Sequence, residues 1–472
     1  MHLSEENQGG TYMKKIVCLL MALTMLLALF AGCGKAETPA APAAPAEKEE
    51  VAAPAAPAEK EEAAAPAEKI KLVGMCWGNP ATLEACTAEF MAANPEMAEK
   101  YEVSWVVGGQ NGGEVASKVR LALSANENIC DFVVMNYPMV PEFARADALV
   151  DVSAALAKYD GELTNASLAL SAYEGQTVGI PLKSNAKVWF YRQDIFEECG
   201  VDVAAIKNVD DFIAAGKKIQ EKYPNSYMWN LGATPQAYQY YLTLSGNGAR
   251  FYDADGNYNI ASDPGTIKML EDYKKMVDAG IISNVCDWTT DWERALADGT
   301  LVSQPCAGWL GESVFLPTYS GEANKGNWAV TAWPEIGGAT GGSDDGGSVL
   351  VVPTFSSNPE AAAEFAAALT LSENGSKIIA RANVAPPNNK KAMEDKELFA
   401  DQAAGYFGPS LMDAQYAAMD ALSVFNVSPN HNSEVTIVVE YFTKAVYGEM
   451  TIADALAAAE ADLQTVIGNA FD

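Results

Sequence analysis

The sequence predicts an α/β protein whose folded part is divided into two lobes, each a sheet flanked by helices. Three observations carry that prediction. From Ile70 onward, short apolar runs alternate with segments of helical periodicity, as in a parallel sheet covered on both faces. About 400 residues follow Ile70, too many for one ordinary core. The stretch before Ile70 can join neither lobe, because it reads as an export segment and a tether.

Lys14 and Lys15 precede an apolar run from Ile16 to Phe30, which ends at Ala31-Gly32-Cys33. Positive charge, a short apolar core and a small-residue cleavage site make a secretory signal peptide. The run is shorter than the roughly 20 apolar residues a membrane span needs. Cys33 directly after Ala-Gly resembles a bacterial lipobox, in which the cysteine takes a diacylglyceryl group, although Phe30 stands where Leu is usual. The competing reading is an ordinary cleaved signal with an incidental cysteine. Met13 is a plausible true start, because Met1 to Tyr12 is a polar prefix. Ala40 to Glu50 then reads AAPAAPAEKEE, Ala52 to Glu62 repeats it, and a decayed copy ends at Lys69. Prolines forbid a continuous helix there, and small or charged residues cannot form a core. The expected tether, 34–69, is extended, with a reach on the order of 100 Å.

The composition is globular, with 49% hydrophobic and 9% aromatic residues over the whole chain. A formal charge of −31 argues against nucleic acid, whose phosphates need a basic face. It also keeps the domain off an anionic membrane surface. Of eight cysteines, Cys18 leaves with the signal and Cys33 is the lipid candidate. Cys76, Cys86, Cys130, Cys199, Cys286 and Cys306 could pair or remain free buried thiols. With two histidines in the chain, a histidine-rich metal site is excluded, and no cofactor is expected.

The elements follow in order. Ile70 to Met75, Tyr101 to Val107 and Asp131 to Met135 read as strands. Thr82 to Ala93, Glu114 to Ser124 and Val140 to Ala148 read as helices between and after them. Ligands then bind beyond the strand C-termini, where Trp77-Gly78-Asn79 and Asn136-Tyr137 would lie. Lys187 to Tyr191 opens a second block. Asn208 is placed to cap the helix that runs on through Phe212 to Tyr223. FYDADGNYNI, from Phe251, fails the calcium-loop pattern and fits a tight hairpin around Asp255-Gly256. Trp292 begins a helix closed by Gly299. Asn358-Pro359 marks another helix start, and Thr451 to Ile467 is a final amphipathic helix.

These segments, in this order, resemble the extracellular solute-binding proteins of bacterial ABC importers, in the carbohydrate-binding group related to maltose-binding protein. The resemblance rests on Asp131-Phe-Val-Val with Pro141 to Asp151, Gly179-Ile-Pro-Leu, Val188 to Phe196 with Gly200-Val-Asp202, Ala307-Gly-Trp309, Gly346-Gly347-Ser348 and Ser357 to Ala361. It covers nearly all of Ile70 to Asp472 and implies a type II-like periplasmic-binding-protein fold with the ligand between lobes. Lobe 1 would hold about 70–182 and 333–383, and lobe 2 about 186–330 and 385–472. Crossings would fall near Pro181–Lys187, Thr331–Pro334 and Arg381–Ala385.

A sugar needs flat aromatic platforms and fixed hydrogen-bond partners. Trp309 is favoured for stacking by the resemblance. Trp77 and Tyr137, at strand ends, could stack or pack in the core. So could Trp229, near Gln236 and Tyr238, whereas Trp292 fits core. Asn79, Lys183, Asn185, Glu312, Asp345 and Gly346 are further ligand candidates. His431 is either a ligand contact or a cap. The resemblance implies a non-enzymatic, monomeric protein on the outer face of the cell membrane. It would be held by Cys33, close on a carbohydrate by hinge motion and deliver it to an ABC permease. Alternatives are a non-sugar solute, including ferric iron held by Tyr238, Tyr240 and Tyr241, or a glycosidase using a pair such as Asp344-Asp345.

Overall fold

The computed structural model describes residues 68–232, 238–311, 327–339, 343, 346–399, 407, 410–419, 422–423 and 427–471. Contacts divide the chain into Met1–Ala65 and Pro66–Asp472. All described residues lie in the second unit, so the signal, Cys33 and most of the tether lie outside them.

The first sheet contains β1 (Ile70–Trp77), β2 (Tyr101–Gly109), β3 (Phe132–Asn136), β4 (Ile180–Lys183) and β10 (Ser348–Val351), in the order β2-β1-β3-β10-β4. β1 runs parallel to β2 and β3, but β10 is antiparallel to both β3 and β4. The sheet is therefore mixed, not all parallel, because β10 arrives from the other lobe and runs against its neighbours. Alternation sends Phe132, Val134, Leu350 and Val352 to one core and Val133, Met135, Val349 and Val351 to the other. Full burial of each such side chain contributes about 1.5–3 kcal/mol. Helices Ala81–Ala93 and Pro359–Leu371 cover the first face, and Gly112–Ala125 covers the second. Gly74 is required on β1, since a Cβ there would lie 2.7 Å from the rings of Phe132 and Trp105.

The second lobe is built on β5 (Lys187–Arg192), β8 (Ser303–Ala307) and β9 (Trp328–Thr331), an antiparallel sheet in the order β8-β5-β9. Beside it a short parallel pair joins β6 (Trp229–Asn230) to β7 (Ile282–Ser283). Val188 and Phe190 face one core, with Leu296 and Leu411. Trp189 faces the other, where it meets Phe212 and Trp333.

Local signals were legible. Asn208 caps its helix by accepting the Asp210 and Asp211 N–H groups. Gly299 ends the helix Thr290–Asp298 at φ 81°. The Asp255-Gly256 turn is closed by Asp253 N–H donating to the Asn257 carbonyl at 2.9 Å. Asn358 differs: its helix begins at Pro359, but the side chain makes no cap bond. It reaches instead toward Asp131 Oδ1 at 3.5 Å. The six described cysteines are free thiols. Burial pushes Cys86 up to about 11 and Cys130 up to about 12, which keeps both protonated.

The passages between the sheets are less simple than expected. Ser184-Asn185-Ala186 makes the first and is fully buried. After β9 the chain stays with the second lobe beyond Thr331–Pro334. Trp333 packs edge-on to Trp189 at 5.9 Å, and Gly337 N–H donates to Asp272 at 2.8 Å. The first sheet resumes only at Ser348. Near Arg381–Ala385, Val384 joins the second-lobe core, yet the chain then returns to the first lobe. Asn388 ties it there. Its Nδ2 donates to the Pro181 and Leu182 carbonyls at 3.0 Å each and to the Thr370 carbonyl at 3.3 Å. Its Oδ1 accepts from Ser167 at 2.9 Å.

Candidate functional site

Trp77 ends β1 and Asn136 ends β3 at the same edge of the first sheet, where parallel strands present their C-termini. Trp77 is half-buried. Asn79 is exposed, and its Oδ1 accepts the Ala81 N–H at 3.0 Å, so it starts the following helix. Tyr137 is buried, and its N–H donates to the Gly347 carbonyl at 3.2 Å. Lys183 closes β4 opposite Ser348 and is half-buried. Asn185 is fully buried and donates to the Gly346 carbonyl at 3.2 Å. Its Oδ1 has no hydrogen-bond partner among the described residues, a costly state for a buried acceptor. Gly346 adopts φ 82°, and a Cβ there would sit 3.3 Å from Trp309 Nε1. Trp309, just past the end of β8, therefore lies against the strand that returns to the first lobe. Tyr137, Asn185, Gly346 and Trp309 come together where the lobes join.

A residue that sequence reasoning missed completes the aromatic surface. Trp288 stacks on Trp309 with ring centroids 5.5 Å apart and planes 24° apart. It also meets Trp292 at 4.9 Å. Trp288 is 45% exposed and holds φ 61°, a conformation that costs a non-glycine residue roughly 1 kcal/mol or more. The loop is fixed from both sides. Thr289 accepts the Trp292 N–H at 3.2 Å, and Asn230 donates to Asp287 Oδ1 at 2.7 Å and to the Val285 carbonyl at 3.0 Å. Nothing in the local sequence marks Trp288 apart from its position just ahead of a Thr cap.

Other candidates fall elsewhere. Trp229 is enclosed, packed edge-on to Tyr273 at 5.3 Å and to Trp333 at 5.5 Å. It lines no open surface, because β6 turns it into the core. Trp292 is core, as expected, and its Nε1 donates to Gln304 at 3.3 Å. Tyr240 is also core, and burial pushes its phenol well above the ordinary range, which opposes a tyrosinate iron ligand. No group of three or more His, Cys, Asp or Glu gathers among the described residues. Glu312, Asp344, Asp345, Gln236 and the Tyr238 side chain lie outside them.

A family model described as bacterial extracellular solute-binding protein matches residues 85–405. The chain belongs to this family. Members of this family are extracellular. Among the relatives of this solute-binding protein is an arabinooligosaccharide-binding protein of Halalkalibacterium halodurans. It is 23% identical over 331 residues, covering 67% of this chain and 71% of the relative. A protein of the same description from Bacillus subtilis is 25% identical over 289 residues, 56% of this chain and 61% of that one. Solved structures share the fold. An ABC transporter associated binding protein from B. animalis subsp. lactis, in complex with β-1,6-galactobiose, superposes with TM-score 0.66 at 20% identity, covering 85% of this chain and 99% of the other. The galacto-N-biose-/lacto-N-biose I-binding protein of Bifidobacterium longum, in complex with lacto-N-biose, gives 0.68 at 20% identity, covering 85% and 98%. These relatives and neighbours are binding proteins, not enzymes.

His431 does not cap its helix in this solute-binding protein. It is the first helical residue, after Asn430. Its ring is half-buried against the edge of Tyr241 at 5.0 Å, and its Nδ1 is enclosed without a partner among the described residues. Burial pushes it down to about 4, against about 6.5 in an unfolded chain. Between these values only the unfolded chain holds the proton, so His431 costs no stability above about pH 6.5 and costs more as pH falls toward 4. Nearby Glu434 acts in the opposite sense. It is fully buried and accepts from Tyr258 at 2.9 Å and Ser428 at 2.6 Å, and burial raises its carboxyl. Its share of stability is lost as pH rises past the ordinary carboxyl range. His431→Phe is expected to flatten the decline in the urea midpoint between pH 6.5 and 4. An unchanged slope would assign that decline to other groups.

Proposed function

We propose that this protein captures an oligosaccharide between its lobes and delivers it to an ABC permease. The observation that carries the reading is the Trp288–Trp309 stack, seated against Gly346 and partly open to solvent. An indole face suits the apolar C–H face of a sugar ring, while Asn185 Oδ1 offers an acceptor for a hydroxyl. The relatives described as arabinooligosaccharide-binding support the class of ligand. Contacts from both lobes would favour a closed form, and the gain in closure equals the ligand's preference for that form. Cys33 would carry two acyl chains, enough for stable attachment where one chain holds weakly. The tether would keep the capture domain near its permease.

A thermal-shift series with arabinooligosaccharides, galactobiose and lacto-N-biose tests the ligand class. A ligand at 100 times its Kd stabilises the folded form by about 2.7 kcal/mol, so the melting temperature should rise with concentration for at least one of them. No shift with any oligosaccharide, together with a shift for another class of solute, refutes the sugar. Cys33→Ser should move the protein from the membrane fraction to the soluble one with ligand affinity unchanged. Retention at the membrane would refute the anchor.

A further inference from the structure

We propose that Phe471 and Arg145 form a latch between the lobes that slows opening of the cleft. The proposal rests on the reading that the lobes close around a ligand. Its first part is the segment after helix Ile452–Val466, which is locked to the second lobe. Ala470 is fully buried, and its N–H donates to the Gly256 carbonyl at 2.9 Å. Asn469 Nδ2 donates to the Asp255 carbonyl at 2.9 Å, and Asn430 Nδ2 to the Ala470 carbonyl at 3.2 Å. Gly256 must be glycine here: its φ is 80°, and a Cβ would fall 2.1 Å from Asn469 Oδ1 and 2.7 Å from the Phe471 ring. These contacts present the Phe471 ring, which packs edge-on to Tyr252 at 5.4 Å.

The second part belongs to the first lobe. Arg145 ends the helix Val140–Arg145 that follows β3. Its guanidinium lies 4.8 Å from the centroid of the Phe471 ring, within the range of a cation–π attraction. The same guanidinium lies 3.8 Å from the carboxylate of Glu174. Glu174 sits at φ 46° in the turn of the hairpin Ala172–Thr177, so the first lobe holds its cation in place independently of Phe471.

Each half is thus organised within its own lobe, and their meeting joins the two. When the lobes separate, the hydrogen bonds around Ala470 and the Arg145–Glu174 pair survive, and the cation–π contact is lost. A contact present only in the closed form shifts the open–closed equilibrium by its own strength. Because it forms after the lobes approach, it acts on release more than on capture. A partly exposed cation–π pair of this kind corresponds to a two- to fivefold effect.

Hydrogen exchange on the full chain without ligand, compared between wild type and Phe471→Ala, tests the latch. Faster exchange is expected in the first-lobe segments around Arg145 and the Ala172–Thr177 hairpin. A purely local loosening of the second lobe would leave those segments unchanged, and that result overturns the proposal. Phe471→Trp should restore the wild-type pattern. With a purified arabinooligosaccharide as probe, Phe471→Ala and Arg145→Gln should each release it two- to fivefold faster with association unchanged. The double variant should go no further than either alone, and additive effects would overturn the latch. Failure of this probe to bind at all would count against the proposed ligand, while the ligand-free exchange would still decide the latch.

Discussion

Trp309→Ala is expected to weaken oligosaccharide binding by at least tenfold, measured by titration calorimetry. Trp309 stands where β8 ends, against Gly346 on the path back to the first lobe, and Trp288 stacks on it at 5.5 Å. A sugar lodged there would lose the flat apolar partner for its C–H face. Large aromatic anchors in such positions typically contribute 2 kcal/mol or more, and 1.4 kcal/mol already corresponds to tenfold. Trp288→Ala should lower affinity by a smaller factor, roughly three- to tenfold, since it removes the outer ring and the support of Trp309. The fold should survive both changes, because Trp309 is half-buried and Trp288 is exposed. Unchanged affinity in both variants would remove the aromatic stack from the site.

The largest stability loss is expected at Asn388. Asn388→Ala would strand three backbone carbonyls, those of Pro181, Leu182 and Thr370, and the Ser167 hydroxyl, all in a buried setting. A buried group left without its partner costs about 1–3 kcal/mol, and networks are not additive. A total loss of about 3 kcal/mol is a reasonable expectation, read as a lower denaturation midpoint at constant slope. Ser167→Ala removes one of these bonds and should cost about 1 kcal/mol. Equal, small effects for both would show that Asn388 does not hold β4 and helix Pro359–Leu371 together.

These two residues also show how far the sequence could be read. Trp309 was reachable, because the resemblance carried by Ala307-Gly308-Trp309 puts it at a strand end, and it lies two residues beyond β8. Trp288 was not, since its role depends on a positive φ and on a stack between residues 21 positions apart. Trp229, open between stacking and core packing on sequence alone, is core. It also stands near a strand end, but the pleat of a two-residue strand turns it toward Tyr273 and Trp333. Asn388 carried no signal at all, since its partners lie up to 221 residues away.

The alternating elements, caps and turns were written in local patterns. Each depends on backbone preferences and periodicities that act over a few residues, as at Asn208, Gly299 and the Asp255-Gly256 turn. The antiparallel course of β10, the late return after Trp333, the detour through Asn388 and the pairing of Trp288 with Trp309 were settled only by folding. They are contacts between distant segments, chosen by which polar groups must be satisfied once buried and which rings fit together. No local window of the chain contains both partners.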